Sequence, residues 1–149
     1  MGRYFEEFVI GERVAAPSRA VTTPDIEAFA ALTGDVNRLH LDDDFARANG
    51  FRERIAHGAL VLSLALGMAW QTGILEDTTR AFREIESWKF TSPAYPGDVL
   101  TLVVEVTALK AYPRLKTGAV TFLATVTNDR AEAVCGGTLH LLMAMRPTE

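Results

Sequence analysis

The sequence predicts an α+β domain built on an antiparallel sheet. Helix signals fill its first half, one long uncharged helix crosses the middle, and alternating strand patterns gather after that helix. A curved sheet wrapped around the apolar helix would bury it on most sides. The 149 residues fit one domain, 1–149, and no repeat, low-complexity tract or linker divides them.

The elements follow in chain order. After a short strand region, Thr23 is placed to cap a first helix, with Pro24 at its first position and Asp25 at the positive end of its dipole. Ile26, Phe29 and Ala30 share one apolar face, and Gly34 is the expected stop. A second, short helix is expected from Asp42 or Asp43, anchored by Phe45 and ended by Gly50, which leaves residues 34–40 as irregular chain. The central helix starts near His57 or Gly58 and runs to about Gly73. The stretch from Ile55 to Leu75 has no charged side chain and is long enough to cross a bilayer. His57, Ser63, Gln71 and Thr72, together with the soluble strand pattern that follows, instead favour a helix buried in protein. A strand through Ile85 to Phe90 comes next. Leu100, Leu102, Val104 and Val106 then alternate with Thr101, Val103, Glu105 and Thr107; Val120, Phe122, Ala124 and Val126 repeat the pattern. Asn128-Asp129-Arg130 is a turn before a last strand from about Ala133 to Met145. Gly137 to Met145 is apolar on both faces, which predicts a second subunit covering an exposed side or edge.

Composition excludes several roles. Hydrophobic residues make up 48% and charged residues 23%, a globular balance. The net charge is −4 with no run of Lys or Arg, which disfavours nucleic acid and anionic membranes as partners. The single cysteine, Cys135, allows no internal disulfide and no paired-thiolate metal site, and its apolar surroundings make it a buried small hydrophobe. The opening Met1-Gly2-Arg3-Tyr4-Phe5-Glu6-Glu7 lacks an apolar core of the signal-peptide kind, so the cytoplasm is the expected compartment.

Two segments carry chemistry. Gly34-Asp35-Val36-Asn37-Arg38-Leu39-His40 sets a carboxylate five residues before an imidazole. Such a pair can hold a water and take its proton, and histidine titrates near working pH. Asn37 can fix the chain through side-chain to backbone bonds. In Ile55-Ala56-His57-Gly58-Ala59-Leu60, a glycine opens a long helix. Its free N–H groups and positive dipole end suit a carbonyl that gains negative charge. His57 is read first as a ring that bonds to backbone in this turn, with direct proton transfer as the alternative. A metal held by Asp35, His40 and His57 is not expected, because the spacing is not that of a zinc motif.

At these residues the sequence resembles the MaoC-like (R)-specific enoyl-CoA hydratase family, whose motif runs roughly Gly-Asp-x-Asn-Pro-x-His, an acidic position, then Ile-Ala-His-Gly. Gly34, Asp35, Asn37, His40, Asp42, Ile55, Ala56, His57 and Gly58 match it in order. Tyr4 to Phe8 with Gly11, Trp88-Lys89-Phe90, Pro93 and Pro96-Gly97-Asp98 extend the likeness over nearly the whole chain. The resemblance implies a hot-dog fold, a homodimer or an assembly of dimers, and syn addition of water to a trans-2-enoyl-CoA to give a (R)-3-hydroxyacyl-CoA. By that likeness Asp35 and His40 handle the water, the Gly58 N–H binds the thioester oxygen, and Asn37 and His57 support them. It implies no metal or redox cofactor; the CoA thioester is the substrate. Two positions depart from the pattern. Arg38 replaces the usual proline, which predicts either a looser loop or a cation beside Asp35, and Leu66 stands where some short-chain members have serine.

The residues that bind the acyl chain are not readable from the sequence. Lys89, Arg114 and Lys116 are candidates for a CoA phosphate, with nothing that sets them apart from other surface charges. Met68 and Trp70 read as core or pocket wall, and His140 as a packing or interface residue. A hot-dog acyl-CoA thioesterase and a non-catalytic acyl-thioester-binding subunit are the alternatives, since a fold by itself establishes no activity.

Overall fold

The computed structural model describes residues 1–148. In order they form β1 (Arg13–Ala15), β2 (Arg19–Ala20), α1 (Thr23–Thr33), α2 (Arg38–Leu41), α3 (Asp43–Ala48), α4 (Gly58–Gln71), β3 (Thr79–Phe90), β4 (Val99–Tyr112), β5 (Thr117–Thr127) and β6 (Ala133–Ala144). All strand pairs are antiparallel, and the sheet order is β1-β4-β5-β6-β3, with β2 also on β4.

The alternation read in the second half builds one face of this sheet. Leu100, Leu102, Val104 and Val106 of β4 are buried with Val120, Phe122, Ala124 and Val126 of β5, because side chains two apart share a face. Leu139, Leu141 and Met143 of β6 complete it. Helix α4 lays Leu60, Val61, Ala65, Met68 and Ala69 on this face and joins the same apolar core. Each large side chain taken fully out of water contributes about 1.5–3 kcal/mol.

Three expectations are corrected. Thr22, not Thr23, caps α1: its hydroxyl accepts from Asp25 N–H while the Asp25 carboxylate returns a bond to Thr22 N–H. Residues 38–41 are not irregular but form the one-turn helix α2, capped by Asn37. Helix α4 is not buried all round; Ala59, Ser63, Gly67, Trp70 and Gln71 leave a stripe open to solvent. Strand β6 lies between β5 and β3. The open edge is β3, longer than expected, with Phe82, Ile85 and Phe90 exposed along it.

Candidate active site

The segment after α1 is bent back by local bonds. Gly34 ends α1 in the left-handed region at φ +79°. The Thr33 hydroxyl accepts from Asp35 N–H at 3.2 Å, the Asp35 carboxylate accepts from Asn37 N–H at 3.3 Å, and the Asn37 side chain accepts from Leu39 N–H at 2.9 Å. This relay starts α2 and puts His40 on its inner side. Arg38 occupies the first position of α2, where no N–H acceptor is needed, which is why proline suits this position. Its guanidinium does not face Asp35, as one expectation had it. It pairs with Asp42 at 2.6 Å and lies over the Phe45 ring. The bond from Phe45 N–H, with the Arg38 guanidinium beside it, holds the Asp42 carboxyl below its ordinary range.

The strand-like piece 54–57 then runs beside α2. Arg54 ties it to Asp43 of α3 at 3.0 Å and to Glu27 of α1 at 3.6 Å. Ile55 N–H donates to Leu39 C=O, and the Ile55 carbonyl lies 2.8 Å from His40 Nδ1. A carbonyl only accepts, so Nδ1 carries the hydrogen and the Nε2 of a neutral His40 ring carries the lone pair.

His57 is buried at the start of α4. Its Nε2 donates to the Asp35 backbone carbonyl at 2.9 Å, which is the backbone role preferred from the sequence. Its ring is stacked on His40 with centroids 3.7 Å apart and leans on Phe29 at 4.9 Å. His57 Nδ1 has no hydrogen-bond partner, and an unmet buried acceptor costs about 1–3 kcal/mol. Phe29 was read only as a helix-face residue, and Ile55 only as part of a motif; no sequence signal marks their contacts with the two imidazoles.

A carboxylate oxygen of Asp35 and one ring nitrogen each of His40 and His57 all lie within 4.8 Å of one another.

Gly58 follows His57 directly, and the first N–H groups of α4 have no acceptor within the helix. A depression of about 390 Å³ opens at Gly58, walled by Ile55, Val61, Phe90, Ser92 and Val134. The exposed Phe90 ring stands over the glycine, so close that a β-carbon there would lie 3.0 Å from it. Asp35 and His40 do not line this depression within one chain. A second, almost wholly apolar cavity of about 230 Å³ lies toward the other end of α4, lined by Leu66, Trp70, Ile74, Phe82, Leu139 and Leu141. Met68 is core, as expected, while Trp70 is half exposed at this cavity. His140 is neither packed in the core nor isolated: its ring bonds to Glu86 at 2.8 Å and Thr121 at 3.3 Å.

One antiparallel sheet over one central helix, with a carboxylate and two imidazoles gathered at that helix's N-terminus, defines an α+β hot-dog domain. The chain belongs to the MaoC-like domain family, whose model matches residues 6–128. Among its relatives, the (R)-specific enoyl-CoA hydratase of Aeromonas caviae is 38% identical over 101 residues, covering 68% of this chain and 72% of that protein. Protein MaoC of Klebsiella aerogenes is 35% identical over 98 residues, covering 66% of this chain, but the match spans only 29% of that longer protein. The monoamine oxidase regulatory protein of Archaeoglobus superposes with a TM-score of 0.89 at 37% identity, covering 98% and 97% of the two chains. A Mycobacterium tuberculosis protein with a double hotdog fold, 23% identical, shares the fold with a TM-score of 0.87 over 99% of this chain and 46% of its own. No helix among the described residues is long and apolar enough to cross a membrane.

Proposed function

We propose that this chain is a lyase that adds water to, or removes it from, an acyl thioester: a trans-2-enoyl-CoA on one side, a (R)-3-hydroxyacyl-CoA on the other. The observation that carries this reading is His40, whose Nδ1–H is fixed on the Ile55 carbonyl so that Nε2 is left as a base beside the Asp35 carboxylate. Asp35 and His40 Nε2 hold a water and take one of its protons. The oxygen bonds to the β-carbon, the double-bond electrons move toward the thioester oxygen, and the Gly58 N–H stabilises that charge. The proton then goes to the α-carbon, so that one water is added in all. Asn37 holds the turn and His57 backs the base. The reaction needs no further cofactor, and the apolar cavity beside Leu66 suits an acyl chain.

The protein acts as a homodimer in this reading. The β3 edge and its exposed Phe82, Ile85 and Phe90 would pair with the same edge of a second copy, an arrangement that meets itself about a two-fold axis. A second subunit would close the open space beside Asp35 and His40.

The test follows the loss of enoyl-thioester absorbance with crotonyl-CoA and longer enoyl-CoAs, for wild type, Asp35→Ala and His40→Ala. Each substitution is expected to lower turnover on the order of 10²-fold or more. Equal rates for all three proteins would sink the assignment. Release of free thiol, followed with a thiol-trapping reagent, would mark a thioesterase instead.

A further inference from the structure

We infer that Arg54 is a positioning residue: its clamp on Asp43 holds the Ile55 carbonyl on His40 Nδ1, and so decides which ring nitrogen of His40 keeps the lone pair. The kinetic half of this inference rests on the reading of His40 as the base. Its structural half, the place of one hydrogen on a ring, stands without that reading.

The first observation is what the ring depends on. A neutral imidazole carries its hydrogen on either nitrogen, and the choice follows the partner that one of them finds. For His40 that partner is the Ile55 carbonyl, 2.8 Å from Nδ1. This oxygen belongs to residues 51–57, which lie in neither a helix nor a strand. No regular ladder holds it in place, so the bonds of its neighbours must.

The second observation is how that stretch is tied. Phe51 N–H donates to the Ala46 carbonyl at 3.1 Å, and Arg52 N–H to the Tyr95 hydroxyl at 3.2 Å. Beyond Ile55, Ala56 N–H donates to the Ala94 carbonyl at 2.8 Å. Directly before Ile55, one carboxylate oxygen of Asp43 takes two bonds from Arg54, from its backbone N–H at 3.1 Å and from Nε at 3.0 Å. A residue gripped at backbone and side chain together has little freedom to turn. Both bonds end on a charged acceptor, which makes them stronger than neutral ones, and the Arg54 side chain is only 19% exposed.

The third observation is what the clamp joins. Asp43 opens α3, the next helix after the one that carries His40, while Arg54 precedes the residue that supplies the carbonyl. The clamp therefore spans the two sides of the His40–Ile55 bond and keeps them in register. The bonds from Arg54, that of its side chain first, hold the Asp43 carboxyl below its ordinary range. Asp43 thus stays ionised wherever a histidine is neutral enough to act as a base, and the clamp does not open under the conditions in which the ring works. The contact from Arg54 to Glu27 is different in kind. At 3.6 Å, on a Glu27 side chain that is 60% exposed, it is a surface pair that contributes little.

The test has two readouts on the full chain, for wild type, Arg54→Gln, Asp43→Ala, the double variant and Glu27→Gln. The first is the ring hydrogen, read from long-range proton–nitrogen correlations of nitrogen-15-labelled protein at about pH 8.5, above the ordinary imidazole range. The chain has three histidines, and the signals lost in His40→Ala assign the ring. Wild type is expected to carry the hydrogen on Nδ1. Arg54→Gln and Asp43→Ala should move His40 to a mixture of the two forms or to the Nε2 form. The second readout is turnover of an enoyl-CoA. In the same two variants kcat should fall by about tenfold or more, as a displaced general base does, with KM within about twofold of wild type because no substrate contact is lost. The double variant should be no worse than the poorer single one, since both remove one clamp. Glu27→Gln should match wild type in both readouts. Thermal unfolding confirms that each variant is folded; Arg54→Lys, which keeps the charge and gives up the Nε bond, replaces Arg54→Gln if it is not.

In an active protein the two readouts must move together. A ring hydrogen that stays on Nδ1 in the variants, a shifted hydrogen with unchanged kcat, a loss confined to KM, or losses that add in the double variant each overturn the inference. If wild type hydrates no enoyl thioester while the ring hydrogen still moves with Arg54 and Asp43, the functional reading fails and the clamp stands. If wild type is active and the hydrogen does not move, the clamp fails and the functional reading stands.

Discussion

The imidazole of His57 lies flat against that of His40, with ring centroids 3.7 Å apart and planes 28° apart. Each ring is also pinned at one nitrogen to a carbonyl, His57 to Asp35 and His40 to Ile55. His57 therefore touches both partners of the proposed base: it fixes the backbone of one and the ring plane of the other. Two substitutions separate these tasks. His57→Gln keeps an N–H donor for Asp35 and loses the flat surface; His57→Phe keeps the surface and loses the donor. Small misplacements of a catalytic group cost on the order of 10²-fold, so both variants should lose kcat on that scale while KM stays close to wild type. An unchanged kcat in both would remove His57 from any positioning role.

Gly58→Ala examines the close approach of Phe90. The added β-carbon would stand 3.0 Å from the outer atoms of the Phe90 ring, which must give way. Thermal unfolding should be little changed, whereas kcat/KM should fall because the ring shifts across the opening to the Gly58 N–H. The double substitution Gly58→Ala/Phe90→Leu should recover part of the loss. Recovery absent from both crystal geometry and rate would show that Phe90 is not the group displaced.

Arg38→Pro should be tolerated. Position 38 opens α2, and Asn37 before it, at φ −55° and ψ 132°, already has the extended backbone that proline imposes on its neighbour. A compatible proline typically adds about 0.4–1 kcal/mol through the unfolded chain. The expected outcome is a urea midpoint equal to or above wild type with unchanged kcat. A clear drop in either would mean that the bridge from Arg38 to Asp42 sets the shape of the site.

Cys135 should be inert while the protein is folded, since burial pushes its thiol up to about 12. At pH 8 a disulfide reagent should release no signal from native protein and one equivalent after unfolding. The raised value also fixes a sign. Stability from this group is intact below the ordinary thiol range and declines as pH rises through it, because the unfolded chain ionises first. Rapid labelling of native protein would contradict the burial.

The sequence made the long periodic elements plain: the apolar face of α1, the extent of α4, and the alternation of β4 and β5 all depend on side chains near in sequence. It also marked Asp35, Asn37, His40, His57 and Gly58, because a motif preserves order. One-turn elements and contacts between distant segments left no such trace. Helix α2 spans four residues, too few for a period to emerge. The Ile55 carbonyl that orients His40 belongs to a backbone atom, and any residue type could supply it. The open stripe on α4 was invisible because composition reports how apolar a helix is, not how much of it one chain can cover.

Strand β3 leaves its regular pairing with β6 at three places, between Thr79 and Ala81, Phe82 and Glu84, and Glu86 and Lys89, and it carries Ser87 at a left-handed φ of 53°. A straight apolar edge would accept almost any extended peptide. This one is interrupted at three places, so its profile works like the teeth of a key: a chance strand meets it at few points.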